Sequence, residues 1–215
     1  MRQLIWGVYI VGLLVAIHFW GTSGRLFFCA GVFLVITLFR RRLVLALTRL
    51  SSKLGLVSAT VNRMPLAIHL CRATEPAEAA TPVLTALAAC KFVDAGAWSI
   101  TELPKIQLAL MVQPEDGMFA AVESASPIGA QVNIHTIYPD GTVFSVTNSE
   151  LPPPPAMRPN VTRQRFPRCM PAELVRQARL NRPAHAFRPI SATEAPRVYE
   201  ELYAEEIRFR KGLGH

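Results

Sequence analysis

Two charge-free apolar runs open the chain. Residues 4–20 carry no formal charge, with His18 the one commonly titrating side chain, and residues 26–39 form a second run. Gly21-Thr22-Ser23-Gly24-Arg25 separates the runs, and Arg40-Arg41-Arg42 stops the second. A membrane-spanning helix needs about 20 apolar residues, with a range of about 17–25. The first run meets that length. The second reaches it when Thr22–Gly24 join and Arg25 snorkels to the head groups. The pattern predicts a transmembrane helical hairpin over 1–42, with lipid contact through residues 4–39. Two other readings are weaker. The second run could be a buried core helix. The first could be a cleaved leader, but no small-x-small site follows it, and His18 and Trp20 read as interface residues.

Beyond the triplet the period becomes helical. Leu43, Leu47, Leu50, Leu54 and Val57 make one apolar stripe, with Arg42, Arg49 and Lys53 on a neighbouring face. Ser51-Ser52 and Gly55 weaken the helix, and Pro65 interrupts it. Residues 43–74 are therefore read as an amphipathic juxtamembrane segment, which docks on the following domain or lies in the lipid interface.

Residues 75–215 read as a folded domain. Thr81-Pro82 marks a helix start, running through Leu87 to Lys91-Phe92 and ending before Gly96. Residues 106–112 then alternate Ile106, Leu108, Leu110 and Val112 against a second set, Pro114-Glu115-Asp116-Gly117 makes a turn, and 118–124 returns as a strand. Residues 131–138, the turn Pro139-Asp140-Gly141 and residues 142–147 repeat the arrangement. Pro152-Pro153-Pro154-Pro155 is expected to end the sheet as a stiff connector at 152–155. Two helices close the chain. One spans 171–181. The other is best capped by Thr193, although Ser191 and Glu194 have capping-box spacing. Its stripe is Val198, Tyr199, Leu202, Tyr203 and Ile207. The expected fold class is α+β: a membrane hairpin followed by an antiparallel β-meander of four or five strands, with helices on one face.

Charge refines the topology. The net charge is +8, and mean hydropathy is +0.26. Residues 1–90 carry a net of +7, 91–155 a net of −5 and 156–215 a net of +6. The arginine triplet outweighs Arg25, so the positive-inside rule predicts an integral membrane protein with both termini cytoplasmic. Arg40, Arg41, Arg42, Arg49 and Lys53 are placed to meet anionic lipid. The acidic middle is expected to pack near the basic C-terminal part. Cys29, Cys71, Cys90 and Cys169 have no CxxC spacing and need no partners in a reducing compartment.

Chemistry is sparse. His69 and Cys71 lie two apart, as a nucleophile pair on one side of a strand would, but their neighbours Ile68 and Leu70 read as core. His135 lines up with Asn133 and Gln131 on the more polar side of its strand, most simply a solvated or helix-covered face. The five histidines are dispersed and offer no metal spacing. There is no phosphate-loop or dinucleotide motif, and Glu115, Asp116 and Asp140 fall in turns. Arg158, Arg163, Arg165, Arg168, Arg176, Arg179, Arg182 and Arg188 could contact a polyanion, but no nucleic-acid module accompanies them. No catalytic, cofactor or metal residue is assigned. The sequence favours a non-enzymatic interaction or scaffold module tethered at the cytoplasmic membrane surface, with a protein partner possible. The alternative is a membrane-bound enzyme with an unrecognised site.

Overall fold

The structure, a computed structural model, describes residues 64–125, 129–151 and 157–212. The expected hairpin over 1–42, the cationic residues Arg40, Arg41, Arg42, Arg49 and Lys53, the stripe from Leu43 to Val57 and the proline run at 152–155 lie outside the described residues. Among the described residues, no helix is long and apolar enough to cross a membrane.

Seven strands form one mixed sheet: β1 (Leu70–Arg72), β2 (Val93–Ile100), β3 (Ile106–Gln113), β4 (Met118–Ala125), β5 (Gly129–Ile137), β6 (Val143–Thr147) and β7 (Val161–Arg165). They lie in sequence order across the sheet. Every pairing is antiparallel except β6 with β7, which is parallel. Three helices accompany the described strands: α1 (Thr81–Ala89), α2 (Pro171–Asn181) and α3 (Ala195–Arg210).

The sheet is wider than the four or five antiparallel strands expected, for three local reasons. β1 has three residues, too short to show alternation. β2 contains Gly96 at φ +107° in a register irregularity, with the Asp94 side chain accepting from the Gly96 N–H. β7 reads Val-Thr-Arg-Gln-Arg, which resembles a basic tail more than a strand. The sheet therefore continues past the proline run instead of ending there, with β7 paired parallel to β6. β1 and the buried Ile68 lie upstream of residue 75.

Helices cover both faces, where one covered face was expected. On the first face, α1 and α2 pack Leu87, Leu174, Val175 and Ala178 against Met111, Met118, Ile134 and Val146. On the second, α3 packs Ala195, Val198 and Tyr199 against Leu108, Leu110, Val112 and Phe119. The central strands carry apolar residues toward both sides, and each side then needs its own cover.

Helix ends also differ from expectation. α1 stops at Ala89, short of the expected Lys91-Phe92, and Lys91 takes a left-handed φ of +68° just beyond its end. Before α3, Ser191 and Glu194 form the reciprocal bonds of a capping box: the Ser191 N–H donates to Glu194 Oε2 at 3.1 Å, and the Glu194 N–H donates to Ser191 Oγ at 3.3 Å. The regular helix starts only at Ala195, so Pro196 falls in its first turn, where a missing N–H costs nothing.

Candidate functional site

The second face of the sheet changes character from one side to the other. Residues opposed in a ladder share a face, so register fixes the rows that run across it. One row reads Val112, Phe119, His135, Ser145, Arg163 from β3 to β7. The next reads Leu110, Ala121, Asn133, Thr147, Arg165. Each row is apolar on β3 and β4 and polar on β5 to β7. The apolar half lies in the core beside α3. Glu123, two residues further along β4 on the same face, joins the polar half.

Part of this polar region is internally satisfied. The Tyr199 hydroxyl of α3 donates to Glu123 Oε1 at 3.0 Å, and the Asn133 amide donates to the same oxygen at 3.2 Å. Burial pushes the Glu123 carboxyl above its ordinary range, opposed by the Tyr199 bond and the Arg163 charge. Burial also raises the Tyr199 hydroxyl well above the usual phenol value, with Glu123 adding to it.

The His135–Ser145–Arg163 row is different. Ser145 is fully buried, yet its Oγ has no hydrogen-bond partner. His135 stacks on Phe119 with ring centroids 5.7 Å apart, and its buried Nδ1 is also unpartnered. Burial, with the Arg163 charge behind it, pushes His135 down to about 3, so the imidazole is neutral at neutral pH. The Arg163 Nε is buried without a partner. Three adjacent side chains on three adjacent strands thus each leave a buried polar atom unmatched. Unmatched buried polar atoms are uncommon in folded proteins, because each carries its full desolvation cost.

The other arginines of the C-terminal part sharpen the contrast. Arg158 pairs with Glu205 and Glu206, Arg168 with Glu150, Arg176 with Glu173, Arg179 and Arg182 with Asp116, and Arg188 with Glu194. Arg165 donates to the Ser149 carbonyl. The basic part does meet the acidic middle, at Asp116 and Glu150, and these contacts occupy arginines that could have faced a polyanion. Arg163 makes no ion pair among the described residues.

The remaining candidates are placed apart. His69 is exposed and bonds Glu102 through Nδ1 at 2.5 Å, which raises its pKa. Cys71 Sγ lies 3.4 Å from the Thr101 hydroxyl instead of meeting His69. Asp140 holds its own turn by accepting from the Thr142 N–H and hydroxyl at 2.9 and 2.7 Å. Cys71, Cys90 and Cys169 are free, and no group of three metal-ligating side chains occurs among the described residues. His135 with Asn133 and Gln131 was legible as a polar alignment. Glu123, Ser145, Arg163 and Tyr199 were not, because only the pairing of β6 with β7 and the placing of α3 bring them to one face. Comparison with protein-family models, curated proteins and solved structures finds no match to this chain.

Proposed function

We propose that this protein is a membrane-tethered, non-enzymatic interaction module whose working surface is the polar half of the α3-covered sheet face. The observation that carries the binding surface is the row of unmatched buried atoms on His135, Ser145 and Arg163. Polar groups held without partners in a packed fold are prepared for a partner that comes from outside. The tether rests on the apolar runs at 4–20 and 26–39 and on the arginine triplet that follows them. Cytoplasmic placement of both termini follows from the same charges.

An enzymatic reading draws on the same face, where Ser145 opposes His135 across β5 and β6. Activation of a serine needs a hydrogen bond from its hydroxyl to the base. The Ser145 Oγ makes no such bond, and the interaction reading is favoured for that reason.

Two measurements on the full-length chain test the proposal. It should remain in the membrane pellet through an alkaline wash. Native mass spectrometry of the chain extracted gently from those membranes should show a non-covalent adduct. A chain that washes off, or that flies only at its bare mass, would overturn the reading.

A further inference from the structure

We propose that the His135–Ser145–Arg163 row is a seat for a phosphate group, with Arg163 as its charged anchor and Ser145 as its neutral donor. This rests on the binding-module reading above and names the chemistry that the module recognises. Ser145 is fully buried with an unpartnered hydroxyl. Arg163 stands beside it on the next strand, about 4.8 Å away across the ladder, and makes no ion pair among the described residues. Arg165 lies on the same face two residues on, about 6.6 Å along the strand, and its Nε is likewise buried and unpartnered.

The donor set selects the ligand class. The Arg163 guanidinium, the part of the Arg165 guanidinium not bonded to the Ser149 carbonyl, and a hydroxyl supply N–H and O–H donors. Neutral His135 supplies one more when its Nδ1 carries the proton. A guanidinium fork matches two oxygens of an oxyanion at once. A carboxylate has only two oxygens to share among these groups, whereas a phosphate monoester has three free oxygens and up to two charges. The charges around Arg163 are mixed: Glu206 and Glu123 act on it from one sign, Arg210 and Arg158 from the other. Glu206 is already engaged by Arg210 at 2.6 Å and by Arg158 at 3.7 Å. Glu123 is engaged by Tyr199 and Asn133. Both carboxylates that act on Arg163 therefore have partners of their own, and the Arg163 guanidinium, with no ion pair among the described residues, is left for an incoming anion.

Inorganic phosphate is the direct probe. The full-length chain in nonionic detergent should bind it saturably by calorimetry, and its thermal midpoint should rise in phosphate above that in chloride of equal ionic strength. Arg163→Gln should weaken binding about tenfold or more, since a charge-assisted pair is lost. Ser145→Ala removes the hydroxyl with almost no change in volume, and it should weaken binding several-fold while the chain stays folded. It keeps the test decisive should the arginine variant fail to fold. Phosphatidic acid in mixed micelles, compared with phosphatidylcholine alone, separates the two sources. Competition with inorganic phosphate that depends on Ser145 assigns a lipid head group, and its absence assigns a soluble phosphate compound. Equal midpoints in phosphate and chloride, or unchanged phosphate binding in both variants, would overturn the seat. Membrane retention and a native adduct with no phosphate binding would remove the seat alone, whereas release of the full-length chain by alkaline wash would remove the module reading whatever phosphate does.

Discussion

Gly117 closes the β3–β4 turn at φ +59°, and a Cβ built there would lie 2.0 Å from the Phe187 ring. Arg182 covers that same ring, with its guanidinium carbon 5.3 Å from the centroid. Gly117→Ala should therefore cost about 2 kcal/mol or more, combining left-handed backbone strain with overpacking. Phe187→Ala in the same chain should recover part of the loss, and a double-mutant cycle in urea checks this. The turn at Pro114–Gly117 was legible from its residues, but its Phe187 lid was not, since that contact joins positions 70 apart in the chain. Acid titration offers a second test at this scale. His135 is held down to about 3 in the fold, against about 6.5 in an unfolded chain. Its contribution is complete above about pH 6.5 and is lost as pH falls toward 3, at up to about 1.4 kcal/mol per pH unit. His135→Gln should remove that slope. Glu123 has the opposite sign: its raised value favours the fold below the ordinary carboxylate range and stops doing so as pH rises through the raised value. Glu123→Gln should accordingly gain on the natural chain as pH increases. Stability-against-pH curves that run parallel in all three proteins would contradict both assignments.

At the level of elements, α3 is tied to the rest of the fold through Glu200, Glu205 and Glu206. Glu200 accepts the outward N–H of Leu70 at 2.7 Å, which blocks part of the free edge at β1. Arg158, just before β7, reaches Glu205 and Glu206 on the same helix. Ile207 is 2 % exposed, and Ile207→Ala should cost about 2–5 kcal/mol by denaturant midpoint. Glu201, exposed and paired among the described residues with Arg197 at 2.9 Å, should tolerate alanine within about 0.5 kcal/mol. Equal small effects would mean that α3 is not part of the cooperative fold. The amphipathic stripe of α3 and the span of α2 were readable because helical period survives in sequence. The start of α3 differs from the expected Thr193 cap because Ser191 caps a turn that precedes the regular helix, a distinction set by backbone geometry.

For the whole molecule, the sheet determines where a stable domain can begin. A chain starting at residue 75 would lack Ile68, which is 2 % exposed, together with β1. Burying one isoleucine is worth about 1.5–3 kcal/mol, so that chain should unfold at clearly lower urea than one starting at residue 60. Identical midpoints would show that β1 contributes nothing to the fold. The proposed tether makes a separate prediction: removing residues 1–42 should release the chain from membranes, with any residual binding weakened by salt. Retention that salt does not touch would count against the tether. Most of β3 to β6, the turns at 114–117 and 139–141 and the bodies of the three helices were readable from residues alone, because alternation, turn residues and helical period are local signals carried by neighbouring side chains. That β1, β2 and β7 extend the sheet, that both faces are covered, and that His135, Ser145 and Arg163 share a row comes from pairing and packing across the fold. Short, bulged or charged strands owe their conformation to the ladder beside them, and a row across a sheet is set by register between segments that the sequence keeps apart.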